Sequence, residues 1–287
     1  MASTISKSFV EQYKKNVILL AQQKGSKQRT TVNTTDVKGR SSYVEAIGSV
    51  DVEPITTRHA ATPILDTPFE RRQLLLEDFA WGDMIDDVDR IRMLIDPTST
   101  YIKAAGYAFG RKMDNVINTA LLGPARAGMT GSSTVILPAS QKVGDASDIS
   151  LDLATLLEIK SIFDNNDVDP DQEKYILISP TQLTTLLSET EVTSSDYVTV
   201  KALVQGQIDS YLGFKFIMTN RLELDGDDKR HCIAYTKDAL TLGIGLNPRV
   251  EMAKDPGRSF NLQIYMAMSL GAVRVEEKKV VEALIKE

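Results

Sequence analysis

The sequence is poor in the residues that carry most enzyme chemistry. It has one cysteine, Cys232, and two histidines, His59 and His231, among 287 residues. A lone cysteine cannot close an internal disulfide, and three such residues are too few for a cysteine/histidine zinc site. The chain is therefore expected to suit a reducing cytoplasm. No run of about 18 uncharged apolar residues occurs, so no membrane-spanning helix is expected. The N-terminal stretch MASTISKSFVEQYKK lacks the unbroken apolar core of a signal peptide. Lysine is missing between Lys38 and Lys103.

Charge is present but unevenly placed. Residues 1–40 hold eight Lys/Arg against Glu11 and Asp36, a net +6. The rest carries 25 basic and 37 acidic residues, a net −12. A basic arm on an acidic body suits docking on other copies, another protein or a polyanion, and equally suits a solvated tail.

The apolar spacing organises the chain. Ile5, Phe9, Tyr13, Val17 and Leu20 predict an amphipathic helix ending near Gly25. Ser26–Gly39 is polar and threonine-rich and reads as an extended linker. Residues 43–79, marked by Pro54, Pro63 and Pro68, read as a long exposed two-stranded excursion rather than a core. Its returning strand is ERRQLLLEDFAW, Glu70–Trp81. Asp96-Pro97-Thr98 is a strong helix start. Ile102, Ala105, Phe109, Met113, Val116, Ile117, Ala120 and Leu121 then hold one face until Gly123-Pro124 stops the helix. An α/β region follows, with helices over Leu151–Phe163, Pro180–Glu189 and Val198–Ser210. Its strands are Lys174–Ser179, Phe214–Thr219 and Cys232–Tyr235. The tail predicts strands at Arg249–Ala253, Phe260–Met268, Gly271–Val275 and Val280–Ile285, with a turn at Asp255-Pro256-Gly257. In GQIDSYLGFKFIMTN, Gly213 is expected to make the tight turn that sends Phe214 and Phe216 into a sheet on one face.

The candidate chemical motifs each lack something essential. Gly123-Pro-Ala-Arg-Ala-Gly128-Met129-Thr130 matches a phosphate-binding loop except at the lysine, and it leaves a helix instead of entering one. Gly243-Ile-Gly245 is a lone GxG, read as a strand with close backbone packing. Asp167–Glu173 resembles the opening of a calcium loop but lacks its turn glycine and its twelfth-position glutamate. Asp83, Asp86, Asp87 and Asp89 interleave with Arg90 and Arg92, which favours a salt-bridged face over an acid/base pair. A metal-dependent hydrolase built on that cluster is the alternative from another class. No GxSxG or HExxH occurs, Cys232 reads as a core residue, and no basic stripe with aromatics supports specific nucleic-acid readout. No cofactor, metal or catalytic residue is expected.

ERRQLLLEDFAW followed by DRIRMLIDPTSTYIKAAGYAFGRKMDNVINTALLGPA resembles the major capsid proteins of tailed bacteriophages, of the short-tailed type, with the Hong Kong ninety-seven fold. KYILISPTQLTTLL, GQIDSYLGFKFIMTN and SLGAVRVEEKKVVEALI extend the resemblance over most of residues 40–287. It implies an α+β capsid fold: an N-terminal arm (1–40), an extended β-hairpin loop (41–80), a peripheral domain with a long spine helix (81–144 and 239–287), and an axial α/β domain (145–238). It implies self-assembly, through hexamers and pentamers, into the icosahedral shell around a double-stranded DNA genome. The expected setting is the virion capsid, assembled in the host bacterial cytoplasm. The implied partners are further copies of the chain, a separate scaffolding protein, a portal protein, a possible decoration protein and DNA contacted non-specifically; no membrane is implied. Arg58, Glu70, Arg71 and Arg72 are the candidate inter-subunit contacts, where charge pairs set register. Some relatives weld subunits through an extended-loop lysine, which this loop lacks. The alternative of the same fold is an encapsulin-like compartment shell.

Overall fold

A computed structural model describes residues 22–58, 62, 64–85, 98–144, 148–188 and 210–286. The expected helix over 198–209, the Asp96-Pro97 helix start and all but the last residues of the expected N-terminal helix lie outside them, and residues 22–24 are irregular. The chain divides into two compact units. One comprises Met1–Ser26, Asp78–Arg111 and Leu246–Met268; the other comprises Lys27–Glu77, Lys112–Gly245 and Ser269–Glu287.

Among the described residues the strands and helices run in the following order. First come β1 (Asn33–Asp36), β2 (Ser41–Ile47), β3 (Phe69–Leu75) and β4 (Glu77–Ile85). The long helix α1 (Thr98–Leu122) precedes β5 (Ala125–Ala127), β6 (Ser133–Val135) and β7 (Lys142–Val143). Then follow α2 (Leu153–Asn165), β8 (Lys174–Ile178), α3 (Pro180–Ser188), β9 (Ser210–Tyr211) and β10 (Phe214–Met218). The chain closes with β11 (Lys229–Thr236), β12 (Leu240–Asp255), β13 (Asn261–Arg274) and β14 (Val280–Lys286). The strands form three sheets, ordered β1-β12-β13-β4, β7-β14-β11-β8-β10-β9 and β2-β3-β5-β6.

Helix α1 spans 25 residues, as its apolar spacing predicts. That is about 37 Å at 1.5 Å per residue. Ala105, Phe109, Met113, Ile117 and Leu121 are buried along one face. Gly110 sits mid-helix, where glycine costs about 1 kcal/mol relative to alanine. The reason is steric, because a Cβ there would lie 2.4 Å from the Gly25 backbone.

The six-stranded sheet forms the core of the second unit. All five residues of β8 are buried. It runs parallel to β10 and antiparallel to β11, whose other edge pairs with β14. Asp152 caps α2 by accepting from the Thr155 N–H at 2.7 Å. Leu156, Ile159 and Phe163 then turn inward, and the Phe163 ring tilts against Phe214 at 6.1 Å. In the β9–β10 hairpin, Leu212 (φ 53°) and Gly213 (φ 87°) both take positive φ. That is the two-residue loop whose twist matches the flanking strands. Phe214 is fully buried, Phe216 is half-buried and Lys215 between them is exposed, as expected.

Four expectations need correction. Ser26–Gly39 is not a linker: β1 pairs in parallel with Thr241–Ile244 of β12, and Val32 and Val37 are buried. Its backbone is anchored as well, since the Lys27 and Gln28 N–H groups donate to the Asp114 carboxylate at 3.1–3.3 Å. The Thr31 hydroxyl also lies 2.6 Å from that of Tyr235. The returning strand Glu70–Trp81 breaks at Leu76, so that β3 and β4 enter different sheets. Its root belongs to a core after all, because Leu74 packs with Val37, Ala125 and Val273. The expected strands Phe260–Met268 and Gly271–Val275 form one continuous strand, since Gly271 lets the Leu75 carbonyl pass where a Cβ would lie 1.9 Å from its oxygen. Ser210 opens β9 and does not end a helix. Within the tail, β14 lies between β7 and β11 in the sheet that holds β8 and β10.

Candidate assembly surface

Strands β2 and β3 build a hairpin whose register sets Glu45 opposite Arg71 and Tyr43 opposite Gln73. The Gly48 N–H bonds to the Pro68 carbonyl at 2.9 Å and closes the paired part. Beyond it, the described residues between 49 and 67 have no helix or strand. Their apolar side chains face solvent: Val52 is 93%, Ile64 92% and Ile55 77% exposed. Val50 is also exposed, as are Ile47 and Phe69 at the strand ends. Apolar surface presented together in one segment marks a contact site.

The four charged residues singled out from the sequence occupy different environments. Arg58 and Glu70 are exposed. Arg71 pairs with the Glu45 carboxylate across the strands, and its guanidinium lies 5.0 Å from the Tyr43 ring centre. Such cross-strand pairs contribute about 0.2–1 kcal/mol each. Arg72 turns inward and is buried. One of its nitrogens donates to Glu277 at 2.9 Å and 3.1 Å and to Glu70 at 2.9 Å, and its Nε reaches the Val275 carbonyl at 3.3 Å. Its charge is therefore engaged within the chain.

Glu277 joins this root to a second buried arginine. Arg274 is fully buried, with its Nε 3.6 Å from Glu277. Its terminal nitrogens donate to the carbonyls of Leu121 (2.6 Å), Gly123 (2.9 Å) and Val135 (3.0 Å). Leu121 lies in the last turn of α1, where carbonyls have no partner within the helix and a cation is favoured. Burial lowers the Arg274 pKa from its ordinary value, and Glu277 opposes the shift. Sequence reasoning missed Arg274 and Glu277, which lie some 200 residues from the hairpin. The alternation of β3 does signal Arg72, because it shares a face with Leu74.

The motifs set aside as chemistry have structural roles. Gly123–Thr130 leaves α1 and forms β5, whose Arg72-to-Ala127 pairing joins it to β3. At Gly243 a Cβ would meet Leu74 at 2.6 Å, the close packing expected of that strand. Asp167 takes positive φ (57°) where α2 ends, and the Val168 N–H bonds to the Phe163 carbonyl at 3.1 Å, so the segment is a helix-to-strand connection. Cys232 is buried and donates to Gln182 Oε1 at 2.9 Å. Asp86, Asp87, Asp89, Arg90, Arg92 and His59 lie outside the described residues. Among the described residues no group of three or more His, Cys, Asp or Glu side chains is placed to hold a metal. No described helix is long and apolar enough to cross a membrane.

Residues 5–287 match the family described as phage capsid protein. The chain belongs to that family. Its fold is that of solved tailed-phage capsids. The capsid protein of cyanophage P-SCSP1u superposes with a TM-score of 0.75 at 15% identity, covering 98% of this chain and 93% of that one. The capsid of Ralstonia phage GP4 gives 0.75 at 12% identity, covering 100% and 99%. A native GTA particle capsid gives 0.68 at 10% identity, covering 100% and 99%. No functionally curated protein matches the chain. Family and fold together make this a capsid protein of the tailed-phage type, with the mixed α+β architecture of the Hong Kong ninety-seven fold.

Proposed function

We propose that the chain is the major head protein of a tailed bacteriophage, closing into an icosahedral shell around double-stranded DNA. The observation that carries this reading is the exposed apolar loop on a well-buried root, in a chain matched to the phage capsid family over residues 5–287. Fully burying Val52, Ile55 and Ile64 on a neighbour is worth about 1.5–3 kcal/mol per side chain before ordering is subtracted. Repeated around closed symmetry, such contacts turn one chain into hexamers, pentamers and a shell. Arg58, Glu70 and Arg71 supply charge at the edge of these contacts. Arg72 supports the loop root from within.

On this reading the chain comprises an arm (1–40), an extended loop (41–80), a peripheral domain (81–144 and 239–287) and an axial domain (145–238), with β14 completing the six-stranded sheet. The protein acts by packing and carries no catalysis of its own. The basic arm meets packaged DNA non-specifically through its net +6 charge. A separate scaffolding protein and a portal complete the head, which assembles in the host cytoplasm. With no lysine between Lys38 and Lys103, the loop offers no amine for an isopeptide weld. Mature particles boiled in detergent should therefore run as monomers, and a ladder of covalent multimers linked through this loop would contradict that. Electron microscopy of the expressed protein, with and without its neighbouring genes, tests the function. Closed shells are expected, and soluble subunits under every combination would reject it.

A further inference from the structure

We propose that His231, Glu282 and Lys142 form a proton-operated clasp, fastened while the imidazole is charged and slackened as it gives up its proton. The Glu282 carboxylate sits between two cations on neighbouring strands. His231 Nδ1 of β11 is 2.6 Å from Oε1, and Lys142 Nζ of β7 is 2.9 Å from Oε2. Glu282 itself belongs to β14, between those strands, and its side chain is 5% exposed. The three groups tie together one flank of the six-stranded sheet.

The ring is placed to exchange its proton without unfolding. It is 22% exposed and lines an open cleft of about 240 Å³ with Asn118, Thr119, Leu122, Leu222, Glu223 and Ile233. Helix α1 presents uncharged residues to this cleft. The other charges felt by His231 are Glu223 and Asp225, in the connection before β11, and both favour the imidazolium. Glu282 also interacts with Arg274 of β13. The hydrogen bond to Glu282 raises the His231 pKa above its ordinary value, and burial opposes the rise only in part. Burial pushes the Glu282 carboxyl up, but bonds from His231 and Lys142 outweigh it and hold the carboxyl below its usual range.

The signs of the two shifts define a window. A raised histidine contributes stability fully below its unfolded pKa, and that contribution is lost as pH rises through the folded value. A lowered carboxyl contributes above its unfolded pKa and is lost on acidification through its folded value. The clasp is tightest between the ordinary carboxylate range and neutrality. Above that, neutral His231 can still donate one hydrogen bond but no longer neutralises a buried charge.

Deuterium exchange at the imidazole C2–H, read by mass spectrometry on the unassembled subunit, reports each histidine separately. His231 should titrate with a midpoint above 6.5, and Glu282→Gln should lower that midpoint. Thermal unfolding of the wild type should weaken as pH rises from neutral to 9, with a shallower decline in His231→Asn. If neither variant folds, the wild-type titration decides alone. A wild-type midpoint at or below 6.5 overturns the proposal, as does an unchanged midpoint in folded Glu282→Gln.

Discussion

Replacing Arg274 with methionine keeps most of the side chain's volume and removes its donors. Three carbonyls, those of Leu121, Gly123 and Val135, then lose a charged donor within 3.0 Å. Hydrogen bonds to charged groups contribute roughly 1.5–3 kcal/mol each. Their sum is reduced because burying the guanidinium itself costs several kcal/mol, which the variant recovers. Glu277 keeps Arg72, so the carboxylate is not abandoned. The net loss should be about 3–5 kcal/mol, the usual cost of breaking a buried ionic network from one side. The second unit has about 200 residues. At about 2.1 cal/mol/K per residue its unfolding entropy is about 0.4 kcal/mol/K, so Tm should fall by about 7–12 °C. Arg274→Lys should fall in between, because one ammonium cannot reproduce the fork that reaches all three oxygens. Calorimetry of the unassembled subunit reads both values. A fall of less than about 2 °C for Arg274→Met would refute the capping role.

Two glycines test whether close approach or backbone conformation matters more. Gly271→Ala forces a Cβ to within 1.9 Å of the Leu75 carbonyl oxygen and should cost about 3 kcal/mol or more, because backbone cannot swing aside. Gly213→Ala meets open space at φ 87° and should cost only about 1–2 kcal/mol; denaturant titration giving the reverse order would contradict the argument. On the loop, Val52→Asp with Ile64→Asp should leave subunit stability within about 0.5 kcal/mol per site while lowering shell yield by sedimentation. Shells formed at the wild-type yield would remove these side chains from the contact. Arg71→Glu should behave likewise, since its pair with Glu45 is exposed.

The contrast between what could and could not be read from sequence follows from how far apart the interacting residues lie. Helix α1 was legible because Ala105, Phe109, Met113, Ile117 and Leu121 repeat at helical spacing and Gly123-Pro124 ends the run. Strand β8 was legible as a short apolar burst. The exposed excursion between β2 and β3 was legible from its prolines. By contrast, Asn33–Asp36 looks solvated, and only its partner more than 200 residues later makes it a strand. Arg72 and Glu277 are 205 positions apart, and no local pattern links them. A charged residue reads as surface until its counter-charge is located, and that location is a property of the fold.

The arrangement separates two tasks that share one hairpin. Charge is buried and paired at the root, where Arg72, Glu277 and Arg274 hold β3 against the end of α1. Apolar surface is exposed at the tip, where it has no partner within the described residues of the subunit. A body of net −12 should keep free subunits apart and limit premature contact between tips. At physiological salt that repulsion is screened within about 8 Å, so it opposes approach only when surfaces nearly touch. In the shell proposed above, the exposed charges of Arg58, Glu70 and Arg71 would then decide which alignment is tolerated, and burial of the tip would decide whether it persists. On that proposal register and affinity would fall to different side chains, and a weak charge pattern would select among contacts that the apolar residues alone would not distinguish.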